Sequence, residues 1–99
     1  MKDTRVDELK KLMVPVLKRH GVKRAGLFGS VLRSDFSEKS DVDLLVEIDK
    51  KISLFDYAGI KLDLEEGVGR KVDLVQYKSI KPRLRQHILS DEVRIYERA

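Results

Sequence analysis

The chain has 99 residues, enough for one domain with a single modest core. It contains no cysteine, which excludes a disulfide framework, a thiolate metal site and a cysteine nucleophile. The formal charge is +4, but the 21 basic residues are interspersed with 17 acidic ones, a pattern that favours a solvated mixed surface over nucleic-acid binding. No apolar stretch approaches the ~20 residues that span a bilayer, and the charged N-terminus is unlike a secretory signal, so we expect no membrane association and a cytoplasmic location.

The first predicted element is an amphipathic helix over residues 4–19, where apolar side chains recur at three- and four-residue spacing. Residues 22–28 follow as a short predicted strand, which Gly29-Ser30 ends with a turn. A short helix is predicted to start there, and the polar residues 34–40 are interpreted as a loop.

The strongest strand signal covers residues 41–48, which alternate in polarity. One predicted face carries Val42, Leu44, Val46 and Ile48, and the other carries Asp41, Asp43, Leu45 and Glu47. Ser53 and Asp56 fit a capping box that opens a helix reaching about Glu66. Its predicted buried stripe is formed by Phe55, Ala58 and Leu62, with Leu54 and Ile60 beside it.

Residues 71–76 form a third predicted strand, with Val72 and Leu74 on one face and Asp73 on the other. A helix over residues 80–89 and an edge strand over residues 93–96 complete the chain. The alternation of helices and strands predicts a single α/β (α+β) domain over residues 1–99. Its architecture would be a small mixed sheet of about four strands with helices packed against it.

Two carboxylates mark the start of the second predicted strand. Asp41 and Asp43 are two residues apart, so both side chains point to the same side of the strand and repel each other unless a cation lies between them. Carboxylate oxygens suit Mg²⁺, which takes one or two of them and fills its shell with phosphate oxygens and water. The alternative is a solvent-facing strand whose polar face happens to carry aspartate.

Asp73 strengthens the metal hypothesis because it also interrupts an apolar strand. If that strand neighbours the strand of Asp43, three carboxylates converge. Two Mg²⁺ ions roughly 3.5–4 Å apart would relieve the repulsion and support an in-line phosphoryl displacement.

Gly29 and Ser30 provide a candidate phosphate site, because a glycine lets the backbone approach a phosphate and the following amides and hydroxyl can donate to it. An ordinary strand-to-helix turn with a serine cap is the alternative. A Gly-Ser followed at this offset by Asp-x-Asp should occur about 0.004 times in a chain of this composition, which favours a real motif.

Gly29-Ser30, ten intervening residues, Asp41-x-Asp43 and the later Asp73 together resemble the DNA polymerase β-like nucleotidyltransferase superfamily. The short chain and the runs GSVLRSDFSEKSDVDLLVE and VGRKVDLV are similar to its minimal nucleotidyltransferase branch, from about residue 22 to residue 96. Ser34 departs from the pattern, since many relatives have glycine there.

The resemblance implies a polymerase β-like fold in which Gly29 and Ser30 hold the triphosphate of ATP. It also implies that Asp41 and Asp43 bind two Mg²⁺ ions, and that Asp73 completes one metal shell and helps to deprotonate or orient the acceptor hydroxyl. Arg33 could reach the phosphates or lie on the surface. Two further basic residues, Arg70 and Lys71, are interpreted as solvated.

The acceptor is expected on another protein, because larger members of the superfamily carry an acceptor-binding domain for which this chain leaves no room. Minimal members resemble the antitoxin of a toxin–antitoxin pair whose toxin is a HEPN-domain ribonuclease. The resemblance therefore implies that this chain is a protein adenylyltransferase that transfers AMP from ATP to a tyrosine of such a toxin. The alternatives are a non-catalytic module that masks its partner and an enzyme that modifies a small molecule or RNA. The oligomeric state stays open.

Overall fold

The computed structural model describes residues 4–37 and 39–98. They form three α-helices and four strands, in the order α1 (Arg5–Arg19), β1 (Arg24–Phe28), β2 (Val42–Glu47), α2 (Leu54–Val68), β3 (Val72–Gln76), α3 (Pro82–Asp91) and β4 (Val93–Glu97). Two short 3₁₀ helices cover Gly29–Leu32 and Tyr77–Ser79. Within this described part of the chain, no helix has the length and apolar character needed to cross a membrane.

The four strands form one mixed sheet in the order β3-β2-β1-β4, which confirms the predicted architecture. β1 runs antiparallel to both β2 and β4, whereas β2 and β3 are parallel neighbours joined by α2. In this register Asp43 lies opposite Phe28 on one side and opposite Asp73 on the other. The strand of Asp73 therefore neighbours the strand of Asp43, which is the arrangement that the metal hypothesis requires.

The helices cover the two faces of the sheet unequally. α1 and α2 pack on one face and enclose the main core, whose fully buried members include Met13, Leu17, Leu27, Leu44 and Leu64. On the other face Leu45, Tyr77 and Ile80 form a smaller cluster, against which Phe28, Val75, Ile88 and Leu89 pack. Because side chains alternate along a strand, Asp43 and Asp73 point to this second, less covered face.

The capping box at the start of α2 is confirmed. The Asp56 amide donates to Ser53 Oγ over 3.0 Å, and the Ser53 amide donates to Asp56 Oδ2 over 3.4 Å. Two otherwise unpaired amides of the first turn are thereby satisfied, so the helix starts at Leu54 as predicted.

The predicted buried stripe of α2 is wrong. Phe55 is 88% exposed and Leu62 is 63% exposed, and both Ala58 and Leu54 also face outward. The buried side chains are Ile60, as predicted, and Leu64, one turn further on. The helix therefore turns the opposite face to the core from the one that its first apolar residues suggested.

Two hydrogen bonds from α2 to β3 favour this orientation, in addition to the burial of Ile60 and Leu64. The Tyr57 hydroxyl donates to the carbonyl oxygen of Leu74 over 2.7 Å, and Glu65 Oε2 accepts from the Val72 amide over 3.0 Å. Both backbone groups lie on the side of β3 that faces away from β2. Unpaired strand-edge groups are costly to bury, so these two bonds favour the rotation of α2 that exposes Phe55.

Candidate active site

The turn after β1 brings its backbone into direct contact with the carboxylate of Asp43. Gly29 has a φ of +66°, and a Cβ placed on it would lie 2.3 Å from Asp43 Oδ2. Glycine is therefore required at this position both for its left-handed backbone and for the missing side chain.

Ser30 joins this turn to the start of β2. Its amide donates to Asp43 Oδ2 over 3.1 Å, and its hydroxyl lies 3.2 Å from the same oxygen and 2.8 Å from the carbonyl oxygen of Asp41. The predicted turn and the Asp-x-Asp motif thus form one hydrogen-bonded unit. The amide and hydroxyl that were predicted to donate to phosphate here donate within the protein, and a bound triphosphate would compete for them.

Asp41, Asp43 and Asp73 occupy one end of the sheet. Asp41 is exposed just before β2, Asp43 is half-buried at its second residue, and Asp73 is exposed at the second residue of β3. Over residues 4–37 and 39–98, no three acidic or histidine side chains already lie close enough together to hold a metal ion. The donor chemistry still fits Mg²⁺, which needs one or two protein carboxylates and takes its remaining ligands from phosphate and water.

Arg33 lies at the surface immediately after the phosphate-turn residues. Its side chain is exposed, with Nε 3.9 Å from Asp35 Oδ1, a distance at the limit of an ion pair. Its backbone amide donates to the carbonyl oxygen of Ser30 over 3.1 Å. The exposed guanidinium has room to turn toward a bound phosphate, so its predicted role stays a prediction.

The interpretation of Arg70 as a solvated residue is wrong. Its Nη1 donates to the carbonyl oxygen of Ser37 over 3.0 Å and lies 3.4 Å from that of Ser40, next to Asp41. Its guanidinium also lies 4.8 Å from the centre of the Phe36 ring. The sequence carried one signal for this contact, an aromatic residue inside an otherwise polar loop.

A second cluster of arginines and an aromatic ring lies on the same face of the sheet and was not predicted. The Tyr77 hydroxyl donates to Glu92 Oε2, and the guanidinium groups of Arg24 and Arg94 lie 4.4 Å and 5.9 Å from the Tyr77 ring centre. Burial, with the carboxylate of Glu92 second, raises the pKa of the Tyr77 phenol above its ordinary value. The Glu92 carboxylate fits against β1 because Gly26 has no side chain there, and a Cβ would lie 2.0 Å from Glu92 Oε2.

Residues 11–99 match the sequence profile of the family described as Polymerase beta, Nucleotidyltransferase. A protein of Methanocaldococcus jannaschii, named provisionally as a protein adenylyltransferase, is 44% identical over 88 residues, which cover 89% of this chain and 95% of that protein. The protein adenylyltransferase MntA of Thermococcus cleftensis is 37% identical over 75 residues, or 76% of each chain.

The fold is similar to solved structures. A provisionally named minimal nucleotidyltransferase has a TM-score of 0.75 and 36% identity, with 89% of this chain and 93% of that chain covered. A chain of a toxin–antitoxin complex solved with AMP-PNP also has a TM-score of 0.75, over 90% of this chain and 73% of that chain. Its identity is 19%, so this likeness concerns the fold alone.

Proposed function

Since the chain belongs to the polymerase beta nucleotidyltransferase family, we propose that it is a Mg²⁺-dependent protein adenylyltransferase. It would transfer AMP from ATP, in the cytoplasm, to a hydroxyl group of a partner protein. The hydroxyl oxygen attacks the α-phosphorus, the bond from that phosphorus to the bridging oxygen breaks, and pyrophosphate leaves. The hydroxyl proton passes to a base, for which Asp73 is the candidate in this chain.

Each predicted site residue has one role in this proposal. Gly29 lets the triphosphate approach the backbone, and the amide and hydroxyl of Ser30 donate to it. Asp41, Asp43 and Asp73 would hold two Mg²⁺ ions, which neutralise the phosphate charge when bound. The exposed side chain of Arg33 is the candidate for a further phosphate contact.

The observation that carries the proposal is the contact between the turn and the strand. A Cβ on Gly29 would lie 2.3 Å from Asp43 Oδ2, and Ser30 donates to the same oxygen. The predicted phosphate donors and the predicted metal ligand are thus within one hydrogen bond of each other. Phosphoryl transfer needs this proximity because its catalysis depends on positioning and charge stabilisation.

We propose a HEPN-domain ribonuclease toxin as the partner and one of its tyrosines as the acceptor, so that the chain acts as an antitoxin. Two considerations support this. This chain matches most of the length of relatives that are named as protein adenylyltransferases, and similar folds occur in toxin–antitoxin complexes. Helices α1 and α2 contact the sheet and α3 packs against the smaller cluster through Ile88 and Leu89, so the described residues contain no separate acceptor-binding domain.

The decisive experiment incubates the protein with α-labelled ATP, Mg²⁺ and the product of the neighbouring gene. We expect label on that product, and we expect Asp43→Asn to lower the transfer rate by about 10³-fold because charge stabilisation in the transition state is lost. Asp7→Asn, which removes an exposed carboxylate of α1, is the matched control and should transfer at the wild-type rate.

The outcomes separate the candidate functions. Absence of label, with the partner still neutralised by an Asp41→Asn/Asp43→Asn variant, would establish masking and overturn the catalytic proposal. Label on RNA or on a small molecule would keep nucleotidyl transfer and overturn the choice of acceptor. Calorimetry tests the metal claim directly, since binding of ATP should require Mg²⁺ in the wild type and be lost in Asp43→Asn.

A further inference from the structure

We propose that Arg70 is a positioning residue of the active site, which together with Arg5 and Phe36 holds the loop between the phosphate turn and Asp41. We call these three side chains the loop clamp. The expected effect on catalysis rests on the proposed function. The effect of the loop clamp on the loop itself can be measured without any transfer of AMP.

Arg70 holds the far end of the loop. Its Nη1 donates to the carbonyl oxygen of Ser37 over 3.0 Å and lies 3.4 Å from that of Ser40, the residue directly before Asp41. Ser40 in turn donates its amide to the Ser37 carbonyl over 3.0 Å. One guanidinium therefore closes the last turn of the loop immediately before the first predicted metal ligand.

Arg5 holds the near end of the same loop. Its Nη1 donates to the carbonyl oxygens of Val31 and Arg33, each over 2.8 Å, where the 3₁₀ turn of Gly29–Leu32 ends. This contact fixes the exit of the phosphate turn relative to α1. Arg5 lies 28 residues before Arg33 and Arg70 lies 33 residues after Ser37, so neither end of the loop is held by its sequence neighbours alone.

Phe36 joins the two ends. The guanidinium carbons of Arg5 and Arg70 lie 4.9 Å and 4.8 Å from the centre of its ring, and the ring packs against the main core. A planar guanidinium can stack on an aromatic ring while its N–H groups donate in the plane, which an ammonium cannot do. The arrangement thus needs arginine and an aromatic ring rather than any cation and any apolar residue.

The clamp links two parts of the candidate site that are distant in sequence. Arg70 precedes Asp73 by three residues, and the next residue, Lys71, accepts the Val42 amide at its carbonyl oxygen over 2.9 Å. Arg70 thereby fixes the segment ending at Asp41 against the strand that carries Asp73. Loss of the clamp would let Asp41 move relative to the other two carboxylates while the strands stay paired.

The test compares Arg70→Lys and Arg70→Ala with the control Lys71→Gln, which removes the neighbouring exposed charge. We expect both Arg70 variants to lower kcat by about 10–100-fold, as loss of a residue that orients a metal ligand does, with a smaller change in KM for ATP. Lysine should fail to rescue because it keeps the charge but loses the planar stack. Lys71→Gln should keep the wild-type kcat, and Arg70→Lys at wild-type kcat and KM would overturn the proposal.

Two substitutions of Phe36 test whether the aromatic ring is required. Phe36→Tyr keeps an aromatic face for both guanidinium groups and should retain nearly the wild-type kcat. Phe36→Leu keeps an apolar side chain but loses both stacking contacts, and should lower kcat in the same direction as Arg70→Ala. Equal activity of the leucine and tyrosine variants would show that the ring fills space only, and would overturn the clamp.

Two readouts are independent of transfer. Amide hydrogen exchange at Ser40 should accelerate by about tenfold in Arg70→Ala, with exchange in β2 and β3 unchanged. Binding of Mn²⁺, used as a spectroscopic probe for Mg²⁺, should weaken by about tenfold in the same variant. If wild-type protein transfers no AMP, the proposed function fails, yet these two shifts still establish the clamp. Unchanged exchange and unchanged Mn²⁺ affinity would overturn the clamp even where transfer is observed.

Discussion

Two aromatic rings in this protein, Phe36 and Tyr77, each contact two arginine guanidinium groups. The arginines at the two rings have different hydrogen-bond and ion-pair partners. At Phe36, Arg5 and Arg70 donate to backbone carbonyl oxygens of a loop. At Tyr77, Arg24 pairs with the carboxylate of Glu47 and Arg94 with that of Glu92.

This difference in partners suggests different roles for the two clusters: the one at Phe36 positions a loop, and the one at Tyr77 stabilises the fold. A carbonyl oxygen carries no net charge, so the loop clamp can open without leaving a buried ion behind. The Glu92 side chain is only 6% exposed, so removal of Arg94 takes the ion-pair partner from a carboxylate that has little access to water. We therefore expect changes at Phe36 to affect chemistry and changes around Tyr77 to affect folding.

The strongest test of this comparison is Gly26→Ala. The new Cβ would lie 2.0 Å from Glu92 Oε2, so the carboxylate must leave its site between Tyr77 and Arg94. We expect the free energy of unfolding, measured by urea denaturation, to fall by about 1–3 kcal/mol, because the added methyl group displaces the Glu92 carboxylate from its contacts with Tyr77 and Arg94.

A glycine in open space is the matched control. Gly59 lies inside α2 and an added Cβ there meets nothing within 4 Å. Gly59→Ala should stabilise the protein by about 0.5–1 kcal/mol, because alanine loses less backbone entropy in a helix. Destabilisation of similar size in both variants would show that the Glu92 cluster is not the cause.

Tyr77→Phe removes the donor to Glu92 but keeps the ring, and should lower the free energy of unfolding by about 1–3 kcal/mol. The pH dependence follows from the raised pKa of the phenol, whose ordinary value is 10.0. Above pH 10 the unfolded chain loses this proton while the folded protein keeps it, so the wild type loses stability as pH rises. Tyr77→Phe should lose less over the same interval, and parallel pH profiles would contradict the assignment.

At the loop clamp we expect a smaller loss of stability than around Tyr77. Arg70→Ala should change the free energy of unfolding by about 1 kcal/mol, since an exposed cation–π contact contributes about 0.5–1 kcal/mol and its hydrogen bonds can be replaced by water. Arg94→Ala should lower it by more, because the nearly buried Glu92 carboxylate then loses its ion-pair partner and keeps the neutral hydroxyl of Tyr77. If thermal or urea unfolding showed a larger loss of stability in Arg70→Ala than in Arg94→Ala, the two clusters would not differ in the way proposed.

Local signals predicted the fold well. The alternation in β2, the capping box of Ser53 and Asp56, and the position of Asp73 between two buried residues of β3 all depend on neighbours in sequence, and all three are confirmed. The sequence of either strand does not predict the parallel pairing of Asp43 with Asp73, because pairing is a property of the whole sheet. The roles of the three carboxylates stay predictions.

The two wrong predictions, for the buried face of α2 and for the solvation of Arg70, share a physical cause. α2 carries apolar residues on two faces, and periodicity alone cannot choose between Phe55 with Leu62 and Ile60 with Leu64. The choice depends on contacts with the rest of the fold, including the hydrogen bonds to β3 and the packing of Ile60 and Leu64 in the main core, which the sequence of the helix does not contain. Arg70 was misjudged for the same reason, since its ring partner is more than thirty residues away.

The side chains by which α2 meets β3 also limit how this protein can associate. Tyr57 and Glu65 occupy the Leu74 carbonyl and the Val72 amide at the outer margin of the sheet, where another strand would otherwise add. A neighbouring molecule would have to break both bonds before it could extend the sheet from β3. The crossover helix thus protects an exposed strand from edge-to-edge aggregation, a hazard for a small mixed sheet at high concentration.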